Sequence, residues 1–274
     1  MIPETIIEAG QANRNYWRDL WRYRELFQVL AWRDFTVRYR QTVVGVIWAV
    51  LRPVLTVIIL TVIFNRVAGL SSEGSAPYAI MVLAGMLPWA FFSNALADSS
   101  SSLVSNSTLV SKIYFPRMIL PAATILVSFV DLLVGLVIVA ILMAAYRYAP
   151  DWKIVTLPLF AGMAFLAALG PGLWVTAVNV RYRDFRYVIP FIVQFGLYVS
   201  PVGFSYSVIP EDWRLVYSLN PMVGVINGFR WAILGGDAPL YPESLVISVV
   251  VIVALLVVGV WQFRKLERSF ADLI

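Results

Sequence analysis

Residues 119–146 read ILPAATILVSFVDLLVGLVIVAILMAAY, with a single charged side chain, Asp131. The run exceeds the about 20 apolar residues that carry a helix across a bilayer. It is apolar on every side, so its surroundings must be lipid or other apolar helices. Working outward, five more runs of spanning length fall at 43–64, 78–97, 156–178, 188–206 and 245–263. The expected fold is an all-α membrane protein with six transmembrane helices. Its transmembrane domain covers 43–264, between an N-terminal region at 1–42 and a tail at 265–274.

Composition points the same way. The chain is 60% hydrophobic and 14% charged, with a mean hydropathy of +0.79, where soluble domains average about 45–50% apolar and 25% charged. Histidine and cysteine are both absent, which removes imidazole relays, thiolate nucleophiles and histidine or thiolate metal sites. The net charge of +5 does not signal nucleic acid, because the 21 Lys and Arg gather in a few short segments between apolar runs. Fifteen lie at the termini, the 2–3 loop and the 4–5 loop, against five on the other face, with Arg52 inside the first span. By the positive-inside rule both termini are expected in the cytoplasm. The N-terminal region has no short apolar run followed by a small-residue cleavage site, so no cleaved signal peptide is expected.

Two further regions stand out. Tyr16, Leu20, Tyr23, Phe27, Leu30 and Ala31 recur at three- and four-residue steps, opposite Arg18, Arg22, Glu25 and Arg33. That spacing predicts an amphipathic helix on the membrane surface. Between 207 and 244, Pro210, Pro221, Gly224, Gly228, Gly235 and Gly236 interrupt an apolar stretch, as expected of broken, re-entrant helices that line a cavity or sit inside protein.

The chemistry of a pump is missing. A phosphate-cradling loop needs Gly-Lys-Ser/Thr, but the three lysines, Lys112, Lys153 and Lys265, follow Ser111, Trp152 and Arg264. No clustered carboxylates or nucleophile with a base suggest an enzyme. Asp131 near mid-span is costly in lipid. Two readings account for it: a hydrogen bond to a neighbouring helix, or a place in a translocation path. Among the aromatics, Trp89, Phe92, Tyr198 and Tyr206 are candidates for such a path, because sugar C–H faces stack on aromatic rings. For most of the aromatics interfacial or lipid-facing packing is the better account.

Five strings then carry a resemblance: RYRQTVVGVIWAVLRP at 38–53, LPWAFFSNAL at 87–96, SKIYFPRMILP at 111–121, NVRYRDFRYVIPFIVQFGLYVSPV at 179–202 and LNPMVGVINGFRWAIL at 219–234. In this order they resemble the transmembrane subunits of ABC-2-type polysaccharide exporters, over nearly the whole chain. The resemblance implies a homodimer in a bacterial inner membrane, paired with two copies of an ATPase subunit that binds ATP and Mg. This chain would bind no cofactor of its own. The implied substrate is a lipid-linked glycan such as O-antigen, capsule or teichoic acid.

The segment at 17–35 is similar to the family's gate helix. Arg18, Arg22, Arg24, Arg38 and Arg40 are then candidates for a lipid-pyrophosphate head through bidentate bonds, with plain interfacial anchoring as the alternative for each. The 99–117 loop looks like the coupling element, with Asn106, Leu109, Lys112, Tyr114, Phe115, Pro116 and Arg117 as its residues. Arg181, Arg183, Asp184 and Arg186 form a second cytoplasmic loop, and 207–235 is similar to external re-entrant segments. An ABC-2 drug or small-lipid exporter and a non-transporting scaffold remain as other readings.

Overall fold

The computed structural model describes residues 16–40, 51, 54–69, 71–73, 76–182, 184–236 and 238–270. Described residues form eleven helices, two short 3-10 turns and no strand. The helices are α1 (Tyr16–Arg22), α2 (Arg24–Arg40), α3 (Val54–Val67, its second half Thr61–Val67 being π-helical), α4 (Tyr78–Ser105), α5 (Ser107–Lys112), α6 (Ile119–Ala145), α7 (Leu157–Arg181), α8 (Phe185–Val199), α9 (Glu211–Tyr217), α10 (Pro221–Leu234) and α11 (Pro242–Glu267).

Among the described residues, four helices are long and apolar enough to cross a membrane: α4, α6, α7 with the short turn before it, and α11. Of the six expected spans, these four are full-length helices; α3 and α8, where the first and fifth were expected, are shorter apolar helices. Much of the first expected span, 43–50 and 52–53, lies outside the described residues. The fifth was drawn too far. α8 stops at Val199, and Ser200 is extended with ψ 149°, because the ring of Pro201 excludes helical geometry from the residue before it. Tyr206, placed in that span by hydropathy, sits in a separate short turn.

α4 is the axis of the bundle. Its most apolar window is 67% buried, against 22% for α11, and it packs on α6, α7 and α10. α11 closes against α7, where the two backbones touch: a Cβ on Gly259 would lie 2.1 Å from the carbonyl oxygen of Gly170. Only glycine permits that approach, which gives the pair its large van der Waals contact without a hydrophobic drive in lipid. The second expected span also proves too short in prediction, since α4 runs on through Ser99–Ser102 to Ser105. Each of these four hydroxyls donates to the carbonyl three residues back, so the serines hide their polarity inside the helix. The carbonyls of Ser99 and Ser100 also accept from Thr176 and Asn179 of α7.

α1 and α2 pack through the face expected from the sequence. Tyr16 and Leu30 are buried, while Leu20, Tyr23, Phe27 and Ala31 lie against the same cluster. That cluster is protein, formed with Leu103, Phe115, Met118 and Phe263. Trp17, Trp21 and Trp32 remain exposed on another side of the helices. We refer to this end of the bundle, where α1, α2, α5 and the end of α11 gather, as the terminal end, and to the opposite one as the far end.

At the far end, α10 begins with Pro221 and an Asn220 cap whose Oδ1 accepts from Met222 N at 3.0 Å, an arrangement that satisfies an otherwise orphaned amide. It ends at Gly235 with φ 55° and ψ −149°, a backbone conformation that suits glycine. Nearly every residue of this 14-residue helix is buried.

Candidate functional site

The last turn of α2 carries the most concentrated polar site. Arg38 Nη1 donates to Asp131 Oδ2 at 2.7 Å, and its Nη2 donates to Asp98. The Tyr39 hydroxyl donates to the other Asp131 oxygen, and Ser128 Oγ donates weakly to Asp98 at 3.4 Å. One guanidinium from α2 thereby ties together carboxylates of α4 and α6. An ionisable group at membrane depth needs such a partner. Of the two readings of Asp131, the hydrogen bond to a neighbouring helix is the one seen, with Arg38 and Tyr39 of α2 as its partners. Arg33 Nη2, one turn earlier, donates to Asn106 Oδ1 at 3.0 Å, so α2 is anchored at both the membrane side and the loop side.

These groups are 33%, 35% and 29% exposed for Arg38, Asp98 and Asp131, so the pairs are only partly buried and contribute about 1 kcal/mol each. Removing the cation is the worse change, because it leaves two carboxylates facing each other. Arg38→Gln is expected to lower stability by about 1–2 kcal/mol, Asp131→Asn by less, and the double variant to recover part of the Arg38→Gln loss. Thermal unfolding of the detergent-solubilised chain checks the cycle; strictly additive losses would show that the groups do not interact.

The remaining arginines of this segment are placed differently. Arg18, Arg22 and Arg24 are exposed on α1 and α2, with Arg24 5.9 Å from the Trp21 ring centre. Arg40 ends α2.

The loop between α5 and α6 is built into the terminal end. Phe115 is buried among Tyr16, Leu30, Met118 and Phe263, and Pro116 beside it is buried too. The backbone N–H of Arg117 donates to Glu267 Oε1 at 2.8 Å, and its Nη1 donates to the Glu267 carbonyl at 2.6 Å. The loop is therefore clamped to the last turn of α11. Together with Tyr16, Asp19, Tyr114, Arg264 and Arg268, these residues enclose a cavity of about 310 Å³. Burial, and next the Glu267 carboxylate, push the Tyr16 phenol above its ordinary range. Arg264 stacks 4.8 Å from the Tyr16 ring centre. Lys112 and Tyr114 point outward, Leu109 is half-buried, and Asn106 caps the junction of α4 and α5 with its Nδ2 on the Ser102 carbonyl at 2.8 Å.

The second loop is short. Arg181 ends α7 with its guanidinium 5.5 Å from the Tyr182 ring. Asp184 precedes α8, and Arg186 donates to the Tyr187 hydroxyl at 2.8 Å in its first turn. Arg183 lies outside the described residues.

The aromatic candidates separate into three environments. Trp89 and Phe92 stand together, ring centres 5.6 Å apart, with Trp89 buried against α8 where Gly196 leaves room for its indole. Tyr198 is exposed on α8. Tyr206 is buried, its hydroxyl within 3.0 Å of Ser218 Oγ and its ring 4.5 Å from that of Tyr241. Sequence reading missed the rest of the α8 ladder: Tyr187, Phe191 and Phe195 are exposed above Tyr198 at steps of three and four, and Phe191 stacks on Phe195 at 6.2 Å. The period was present in the sequence and would have shown them on one face.

Arg230 is one of the five cations that the charge tally puts on the face opposite the termini. It is buried in α10, where Nη1 donates to the Phe204 carbonyl and Nη2 to that of Val202, both at 2.8 Å, with Glu73 at 3.6 Å. The turn after α8 is thereby held to α10.

Long apolar helices around a central one, with a clamped loop at one end, define a multi-pass helical membrane protein. The ABC-2 type transporter family model matches residues 25–234, and the chain belongs to that family. It is 25% identical to the O-antigen export system permease protein RfbA of Myxococcus xanthus, over 94% of this chain and 98% of that one. A Klebsiella pneumoniae RfbA is 24% identical over 91% and 95%. The polysialic acid transport protein KpsM of Escherichia coli is 22% identical over 76% and 81%.

Proposed function

We propose that this chain is the permease subunit of an ATP-binding-cassette exporter that moves a polysaccharide such as O-antigen out of the cytoplasm across the inner membrane. The observation that carries the reading is the end-to-end similarity to permeases named for O-antigen export. The exposed aromatic ladder on α8 supports it, since rings at helical spacing offer sugar C–H faces a series of equivalent, weak stacking positions. Weak and repeated sites let a polymer slide, where deep pockets would hold it.

In the full reading, two copies of the chain enclose the path, with α3 and α8 on its walls and lipid-linked glycan entering beside α2. The terminal end is cytoplasmic, and α9 and α10 form re-entrant segments that cap the exit. A separate pair of ATPase subunits binds ATP and Mg and docks at the α5–α6 loop and the α7–α8 turn. ATP binding shifts the population of docked conformations, and the clamp between Arg117 and Glu267 passes that movement to α11.

The direct test is reconstitution of the chain with its ATPase in liposomes holding a lipid-linked O-antigen. ATP-dependent movement of the glycan to the opposite leaflet is expected. Export of small drugs or bare lipids with no glycan movement would refute the substrate assignment. Docking has its own test: Lys112→Ala, at an exposed position, is expected to leave folding intact and to reduce glycan export about tenfold or more, a coupling loss of at least ~1.4 kcal/mol. The ATPase measured without the permease must be unaffected. Unchanged export by Lys112→Ala would remove the loop from the docking surface.

A further inference from the structure

The outward face of α11 holds a feature that the glycan path does not use. Val246, Val250, Val253, Val257 and Trp261 are all exposed, and their three- and four-residue steps put them on one stripe. One more turn brings Arg264 and Arg268 onto the stripe, with Lys265 at its edge. From Val246 to Arg264 the helix rises about 27 Å, close to the about 30 Å hydrocarbon thickness of a bilayer. The cations therefore fall where hydrocarbon gives way to headgroups.

At that level Trp261, Arg264, Lys265 and Arg268, all at the end of α11, border an open surface depression of about 430 Å³. Among the described residues no carboxylate lines it; Glu267 of the same turn lies at the neighbouring cavity, held by Arg117 and within the field of Arg264. Lys265 Nζ stands 5.2 Å from the Trp261 ring centre. Orientation in the membrane calls for cations near the interface, but not for three of them around one concavity with an indole on its lipid side. Along α11 the order is apolar stripe, amphipathic ring, cationic depression. That is the order of a phospholipid read from acyl chain through glycerol ester to phosphate.

We propose that this depression binds the headgroup of an anionic phospholipid of the cytoplasmic leaflet, whose acyl chains lie along the valine stripe of α11. The guanidinium groups offer paired donors to phosphate oxygens, and Lys265 adds a compact charge. The negative end of the α11 dipole opposes an anion there by less than one side-chain cation attracts it, so the exposed pair Lys265 and Arg268 outweighs it. Arg264 and Arg268 also line the cavity at the α5–α6 loop, which makes the bound lipid a neighbour of the residues that hold Phe115 and Arg117. The assignment rests on the orientation proposed above and is independent of what is exported.

The test uses the full-length chain in bilayers of phosphatidylethanolamine containing a minor fraction of phosphatidylglycerol, with retained lipids identified by native mass spectrometry. Wild type is expected to retain phosphatidylglycerol selectively. Lys265→Gln/Arg268→Gln should lower that retention about fivefold for each charge removed. Arg181→Gln/Arg186→Gln, which changes net charge equally at the other loop, should leave it unchanged. Trp261→Leu, which keeps every charge, should lower it too. All of these positions are exposed, and elution as a single folded species confirms that each variant is comparable. Equal retention by wild type and Lys265→Gln/Arg268→Gln would overturn the site, as would equal losses in both double variants. Displacement of the lipid by inorganic phosphate would reassign the depression to free anions. A failed glycan assay would leave these outcomes untouched.

Discussion

Arg230→Leu is expected to lose the far end of the bundle, at a cost of about 3–5 kcal/mol. The side chain is 1% exposed and Glu73 opposite it 6%. Leucine would leave the Glu73 carboxylate buried without its counter-charge and strip the Val202 and Phe204 carbonyls of their donors. A buried carbonyl left unpaired costs about 1–3 kcal/mol. The effect is structural first, since those carbonyls belong to the turn that ends α8, and only then functional, since α8 carries the exposed aromatic ladder. Two companion variants sharpen the prediction. Arg230→Lys keeps the charge but lacks the planar fork that meets both carbonyls, so it should recover only part of the loss. Glu73→Gln should cost much less than Arg230→Leu, because the arginine keeps both short bonds. Thermal stability of the detergent-solubilised chain, followed by size-exclusion chromatography, ranks the three. If Glu73→Gln proves as damaging as Arg230→Leu, the ion pair and not the carbonyl clamp holds this end together.

The second large effect belongs to Gly259. A methyl group there would sit 2.1 Å from the Gly170 carbonyl oxygen, and one on Gly170 would sit 2.7 Å from the Leu255 and Leu256 backbone. Both obstacles are backbone, which cannot rotate away as a side chain can. Gly259→Leu must therefore drive α7 and α11 apart and is expected to cost about 3 kcal/mol or more, with Gly259→Ala intermediate. Gly162 provides the control: it lies on the same α7 helix, and a Cβ there meets nothing within 4 Å, so Gly162→Ala should be neutral or slightly stabilising through helix propensity. The yield of monodisperse protein after a heat step separates these cases. Equal tolerance of Gly259→Leu and Gly162→Ala would show that the helices do not cross where the structure puts them.

Much of the architecture was legible from residues alone. The runs around α6, α7 and α11 stand out because the transfer of an apolar side chain from water to lipid depends on that side chain and a few neighbours. The packed face of α1 and α2 was legible as well, since Tyr16, Leu20, Tyr23, Phe27, Leu30 and Ala31 share one side at helical period. What covers that face was not: periodicity shows that a face is apolar, but not whether lipid or the Phe115–Phe263 cluster meets it. Boundaries failed where local chemistry contradicts hydropathy. Ser99–Ser102 look like a loop until their hydroxyls bond back into α4, and the apolar residues beyond Val199 look like a span until Pro201 ends it.

The candidate site was legible in its members but not in its pairings. Arg38 and Asp131 were both singled out, for separate reasons, and the bond between them crosses 93 positions. Phe115 and Pro116 were singled out as loop residues and are both buried at the terminal end, yet Glu267, which clamps the loop, drew no notice. Arg230 counted as one cation of the charge tally because nothing in its neighbours indicates burial.

By itself, then, the order of residues determined that this is a helical membrane protein, where its long spans lie, and which helix faces seek cover. Only the tertiary structure decided that α4 is central, that α7 and α11 touch at Gly170 and Gly259, and that Arg38 and Arg230 are spent on partners far along the chain. The reason is that solvation is close to a sum over single residues, whereas an ion pair or a helix crossing depends on the relative placement of two segments. Hydropathy leaves that placement open until the whole bundle has packed.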